Sequence, residues 1–263
     1  LAGDALTDTD FNVAVGYQAL SSDTLGGSST AIGRAALREQ NFTSATDVYN
    51  TAVGRNAGMN VTTGDSNTLI GALAGDALTT GKNNTVVGKG ALSSDTQGKE
   101  CVAIGNGALF AQNLTSATNV FNVAVGSNAG AAITTGTQNT LIGALAGDAL
   151  TDADNNVAVG MQALTLDTLG SKSVAIGDSA LKVQNFTSAT NSYNTAVGDS
   201  AGEAVTTGLR NTLIGALAGD ALTDADKNVA LGYSSLSADT LGNKTVAIGD
   251  GALATQNFTT ATD

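Results

Sequence analysis

Three pairs of carboxylates set one residue apart are the best-spaced candidates for chemistry in this chain: Asp8 and Asp10, Asp152 and Asp154, Asp224 and Asp226. An Asp-x-Asp step offers hard oxygen ligands of the kind calcium takes. Calcium also needs about six to eight ligands in one place, and the Gly-Gly-x-Gly-x-Asp run of calcium-binding solenoids is missing. The six acids are therefore expected to be solvated turn residues, in register with Thr80 to Lys82, and no cofactor is implied. A chain without histidine cannot assemble a Ser/His/Asp or Cys/His nucleophile. Its glycines are not followed by the Gly-Lys-Ser/Thr of a phosphate-cradling loop. Cys101 is the only cysteine, so an intrachain disulfide is excluded. It occupies a position where the repeat usually has Asn, and it reads as a drifted small residue rather than a reactive thiol. These residues do not describe an enzyme.

The elements that must position them are copies of one unit. A short motif of the form Asn-(Thr/Val)-apolar-(Val/Ile/Leu)-Gly recurs fourteen times with slight drift, its glycines running from Gly16 and Gly33 to Gly232 and Gly249. Most steps are 17 residues and every fourth is 21, so four steps make a unit of 72. A fixed period near twenty residues means one structural unit stacked on its copies. The chain divides into superrepeats at about 1–72, 73–144, 145–216 and a partial 217–263. It opens and ends inside a unit, which reads as a slice of a longer array.

Each coil is numbered from the Asn that opens the motif. Places two to four are apolar or β-branched, as in Val13-Ala14-Val15 and Thr212-Leu213-Ile214, which predicts a short strand. Alternate side chains of a strand face opposite ways. A strand that is apolar at adjacent places is therefore expected to be buried on both faces. One face fills the coil, and the other calls for a surface that nothing else in the chain supplies. Place five is always Gly, and place eight is Ala except at Ser235. Close approach at an axis shared by several chains is the expected reason. Place thirteen is usually Thr, from Thr24 and Thr62 to Thr240. The Ala-Leu segments, such as Gly71 to Leu78, carry too many glycines for a helix and predict a second short strand or an irregular turn. The whole is an all-β solenoid, or β-roll, of 17-residue coils with 21 in every fourth.

The extra residues fall in Gln40 to Thr46, Gln112 to Thr118, Gln184 to Thr190 and Gln256 to Thr262. Insertions in solenoids map to loops on one side, and such loops often bind. Six of the ten aromatic residues lie in or just after these segments: Phe42, Tyr49, Phe121, Phe186, Tyr193 and Phe258. Either they form a recurring exposed knob that contacts a receptor or glycan, or they form a small cluster that pins the loop. Asn41-Phe42-Thr43 and its counterparts also fit the glycosylation acceptor pattern.

The net charge of −12 and pI near 4.1 are the wrong sign for nucleic acid or an anionic membrane surface. No segment has the unbroken apolar length of a membrane span.

Val174-Ala-Ile-Gly-Asp-Ser-Ala180 and Val246-Ala-Ile-Gly-Asp-Gly-Ala252 resemble the head repeats of trimeric autotransporter adhesins, which form a β-roll in each of three intertwined chains. The full coil Asn12 to Ser28 is similar to repeats of bacteriophage tail fibres. The resemblance covers the whole chain and carries over no catalytic or receptor residue; the regular 21-residue coil belongs to neither pattern. It implies a homotrimer and an extracellular place on a virion tail fibre or a bacterial surface appendage. The expected function is a structural shaft that spaces or presents an adhesive tip. Two alternatives are a shaft that itself binds a receptor or glycan through its long coils, and an ice-binding solenoid built on the Thr column.

Overall fold

The computed structural model describes residues 1–261; the fourth long-coil segment, Gln256 to Thr262, runs one residue beyond them. Every regular element among the described residues is a strand. The chain is a parallel β-solenoid, and it divides into two compact units, Leu1–Thr135 and Gly136–Asp263.

Unit 1 stacks seven three-residue strands in chain order: Val13–Val15, Thr30–Ile32, Thr51–Val53, Thr68–Ile70, Thr85–Val87, Val102–Ile104 and Val123–Val125. All pair in parallel, and each residue faces its equivalent one coil on, so Ala31 lies opposite Ala52 and Ala52 opposite Leu69. Unit 2 does the same with Thr140–Ile142, Val157–Val159, Val174–Ile176, Thr195–Val197, Thr212–Ile214, Val229–Leu231 and Val246–Ile248.

The Ala-Leu segments are turns rather than second strands. Their backbone is left-handed at alternate places: Gln18 and Leu20, Ala35 and Leu37, Asn56 and Gly58, Leu73 and Gly75 all have φ near +50° to +60°. The residue before each opening Asn is left-handed too, among them Phe11, Tyr49 and Tyr193. Such a conformation costs an ordinary side chain about 1–3 kcal/mol, so the surrounding bonds must hold it. They do so by reaching both neighbouring coils. Ala35 N–H donates to Tyr17 C=O of the coil before, whereas Leu37 N–H donates to Ala57 C=O of the coil after. Alternating the sign of φ turns successive peptide planes toward opposite neighbours, and every corner is stitched on both sides.

Place-five glycine satisfies two demands at once. At Gly54, φ is +143°, and an added Cβ would lie 2.5 Å from Gly71 O and 2.6 Å from its carbonyl carbon. Gly198 meets Gly215 in the same way in unit 2. Place-eight alanines such as Ala57, Ala74 and Ala201 are fully buried inside their own coil. These small residues are thus used up by stacking within one chain. That stacking is sufficient reason for them, apart from any axis shared between chains.

The core runs down the middle of each coil. Place three is buried in every coil after the first, as Ala52, Leu69, Ala196 and Leu213. Places nine and twelve share the remaining volume. Where place nine is Gly, place twelve is apolar: Gly58 with Val61, Gly75 with Leu78, Gly202 with Val205, Gly219 with Leu222. Where place nine is Leu, place twelve is polar: Leu20 with Asp23, Leu37 with Gln40, Leu164 with Asp167, Leu181 with Gln184. Each 72-residue superrepeat therefore alternates a polar pair of coils with an apolar pair.

Candidate functional site

Inside the coils, place-one Asn builds a ladder. Asn67 Nδ2 donates to Gly81 O of its own coil at 2.9 Å, and Asn67 Oδ1 accepts from Asn84 N–H at 3.1 Å. Asn211 repeats the arrangement in unit 2, with Ala225 O as acceptor and Asn228 N–H as donor. The Asn side chain is the right size to close its own turn and cap its neighbour, and it is fully buried.

The ladder changes chemistry in every long coil. Place one there is Ser29, Cys101, Ser173 or Thr245, all too short to span the interior. The amide comes from place twelve instead. Gln40 Nε2 donates to Ser29 Oγ at 3.1 Å, and Gln40 Oε1 accepts from Asn50 Nδ2 at 2.9 Å. Gln40 Nε2 also reaches Asp23 Oδ2 at 2.5 Å, in the coil before. Asp23 Oδ1 takes the backbone N–H groups of Gly26 and Phe42, both at 3.0 Å. Asp167 and Gln184 repeat every one of these contacts in unit 2. The buried carboxylate is therefore fully partnered, which is what allows a charge in the core. These residues form a latch that fixes where the long loop leaves the coil.

The latch decides the fate of the aromatic candidates. Phe42 and Phe186 are buried, and Leu114 takes the same place in the second superrepeat. They pin the loop and do not form a surface knob, which corrects that reading for both residues. The loop is held further by two-residue parallel strands, Gly26–Gly27 with Thr46–Asp47 and Gly170–Ser171 with Thr190–Asn191. Tyr49, Phe121, Tyr193 and Phe258 are exposed. Lys172 Nζ lies 5.4 Å from the Tyr193 ring centre, a cation–π approach in open solvent.

Cys101 is fully buried in the latch of its superrepeat, with Gln112 Nε2 3.2 Å from its sulfur. Burial pushes its thiol up to about 12. A thiol held neutral is a poor nucleophile.

The paired acids do separate work. Asp154 Oδ1 accepts the Thr137 N–H at 2.6 Å, Asp226 Oδ1 accepts the Leu209 N–H at 2.8 Å, and Asp224 Oδ1 accepts the Thr207 hydroxyl. Asp8 and Asp10 line an open groove with Asp47. Among the described residues no three acidic, cysteine or histidine side chains converge as a metal site. The Thr column is also committed: Thr62, Thr79, Thr151 and Thr223 each donate their hydroxyl to the backbone carbonyl of the next coil's Thr. These are inter-coil bonds, not a free array of hydroxyls.

What remains unpartnered is the outer face of the sheet. In each unit, places two and four point away from the core. In unit 1 they are Thr30 with Ile32, Thr51 with Val53, Thr68 with Ile70; in unit 2, Thr140 with Ile142, Val174 with Ile176, Thr212 with Ile214. Ile70 and Ile214 are each 38% exposed, although both lie in the interior of a stack. The strand is buried at place three and part-exposed at places two and four, so within this chain the expected burial on both faces is met on one face only. The signal that sequence reasoning missed was the place-nine and place-twelve exchange, visible as Leu, Leu, Gly, Gly against Asp, Gln, Val, Leu.

Comparison with models of protein families finds no match to the chain, and no curated protein or solved structure matches it.

Proposed function

We propose that this chain is part of the structural shaft of an extracellular fibre, in which three copies pack through the outer sheet faces. The observation that carries the reading is the uncovered face of places two and four. Parallel sheets are stable when both faces are covered, and an apolar surface repeated strand after strand marks an association site. Identical coils stacked in register suit a rod that gains length by adding units. Sedimentation equilibrium tests the association. A mass three times the 25.8 kDa of the chain is expected. A monodisperse folded monomer at micromolar concentration would overturn it. Replacing Ile70 and Ile214 together by Lys should dissociate the assembly while leaving each coil interior intact.

A second reading makes the shaft itself a binding module for a receptor or glycan. It is favoured by the exposure of Tyr49, Phe121 and Tyr193 beside the long loops. Replacing these three by Ala separates the readings: a pure shaft keeps its attachment function, whereas a binding shaft loses it.

A further inference from the structure

The repeat is broken most sharply at one spot in unit 1. Place seven carries a side chain in most coils, such as Gln18, Asn56, Leu73, Asn128 and Leu145, but two consecutive coils have Gly90 and Gly107. Place ten is small or charged in the other coils apart from Met59, yet the coil of Gly107 has Phe110 there. These three departures coincide. The missing side chains open a groove of about 410 Å³, and the half-exposed ring of Phe110 forms one wall. A Cβ on Gly90 would sit 3.9 Å from that ring, so the ring lies beside the bare backbone.

Leu73 adds a second apolar side chain, and the remaining lining is polar and almost neutral in sum. Lys89 and Asn106 stand at place six of the two glycine coils, and Asp76 and Ser93 at place ten. Asp76 Oδ1 is shielded from solvent and accepts no hydrogen bond. The equivalent Asp148 accepts the Thr165 hydroxyl; Ser93 replaces that Thr here, as Ser237 does beside Asp220, whose Oδ1 is likewise unpartnered. Burial raises the Asp76 carboxyl above its ordinary value. An orphaned acceptor, an ammonium, an amide and a hydroxyl next to an aromatic wall form an amphipathic site. The volume falls in the range of small-molecule pockets.

We infer that the groove formed by Gly90, Gly107 and Phe110 binds a neutral pyranose unit of a glycan. The C–H face of the sugar would lie on Phe110, and its hydroxyls would meet Asp76, Lys89 and Asn106. One carboxylate and one ammonium balance each other, which favours an uncharged sugar over an acidic one. The inference is independent of the shaft reading, since a groove can bind whether or not three chains associate.

Saturation-transfer NMR on the full chain, with methyl β-galactopyranoside and methyl α-glucopyranoside as probes, tests it. At least one probe should give a saturable signal from its ring C–H protons. Phe110→Ala should weaken binding about tenfold, equivalent to about 1.4 kcal/mol. Gly90→Asn should do the same by narrowing the groove. Neither change should unfold the coil: Ala254 occupies the Phe110 place in the last long coil, and Asn56 and Asn128 hold the Gly90 place at φ 60° and 56°. Unaltered circular dichroism melts would establish that. No signal from either probe, equal binding by both variants, or binding of glucuronate alone would each overturn the proposal.

Discussion

Two neighbouring pairs of coils in unit 2 solve one packing problem with opposite chemistry. Coils Asn194 to Arg210 and Asn211 to Lys227 fill the space beside Gly202 and Gly219 with Val205 and Leu222. Coils Asn156 to Lys172 and Ser173 to Tyr193 put Leu164 and Leu181 at place nine and use Asp167 and Gln184 at place twelve. The apolar pair fills its interior at places nine and twelve by burial, keeps the Asn ladder of Asn194 and Asn211, and runs 17 residues to the coil. The polar pair is held by directed bonds, and only it accommodates a longer coil. An insertion must let backbone N–H groups leave the regular ladder, and a buried carboxylate is the group that can collect them. The difference shows that the long coil is built from the inside: its loop exists because Asp167 accepts from Gly170 and Phe186.

The comparison can be broken most severely by making the polar pair apolar. Asp167→Leu leaves two buried backbone N–H groups and one of the two Gln184 amide N–H groups without an acceptor and crowds Leu164. Each orphaned donor costs about 1–3 kcal/mol, and overpacking adds about 1–3 kcal/mol. A loss of about 5 kcal/mol is expected, read as collapse of hydrogen-exchange protection at Gly170 and Phe186. Local exchange is the proper measure, since a repeat array unfolds in parts. The reverse change in the apolar pair should cost less. Leu222→Ala opens a cavity and should lose about 3 kcal/mol, seen as faster exchange around Thr223 with the long loop of Asn185 to Thr190 unaffected. Both changes losing protection at both places would show that the two pairs are not separate units.

An effect absent at neutral pH sharpens the polar pair alone. Cys101 holds the place that Ser29 and Ser173 hold in other long coils. Its thiol is ordinarily near 9.0 and is raised by burial to about 12, so between these values the folded chain keeps a proton that the unfolded chain loses. Stability should therefore fall as pH rises above about 9, by about 1.4 kcal/mol per unit. Below that pH the effect is absent. Cys101→Ser should remove this slope while leaving neutral-pH stability nearly unchanged. Thiol reagents at pH 8 should fail to label the native chain and label it fully in denaturant.

The strand at places two to four was legible because Val, Ile and Thr fall at a fixed distance before a glycine. The uncovered face was legible from the same three places. Leucine in a left-handed turn was not: Leu20, Leu37 and Leu92 have φ near +50°, a region from which bulky side chains are normally excluded. The clue lay in the interchange of Leu with Gly at place nine, which marks a backbone demand rather than a side-chain preference. The aromatic candidates divided for a physical reason. Phe42 and Phe186 stand two places after the buried Gln, where the latch and the following coil enclose them; Phe258 is latched in the same way in the last coil yet is exposed, and Tyr49 and Tyr193 stand on the left-handed corner before the strand and are exposed.

The spacing of the Asp–Gln latch has a consequence for how such a chain finds its own register. Every coil offers nearly the same strand, and every short coil the same Asn, so a slip of one coil during folding would lose almost no apolar burial. It would, however, set Asp23 or Asp167 against Val61 or Val205 in place of Gln40 or Gln184, stranding a charge beside a hydrocarbon. Only a displacement of a full 72 residues restores every partner. The latch thus acts as a checksum written once per superrepeat: it makes short misalignments costly, leaves a single long one silent, and gives an otherwise monotonous thread a way to count.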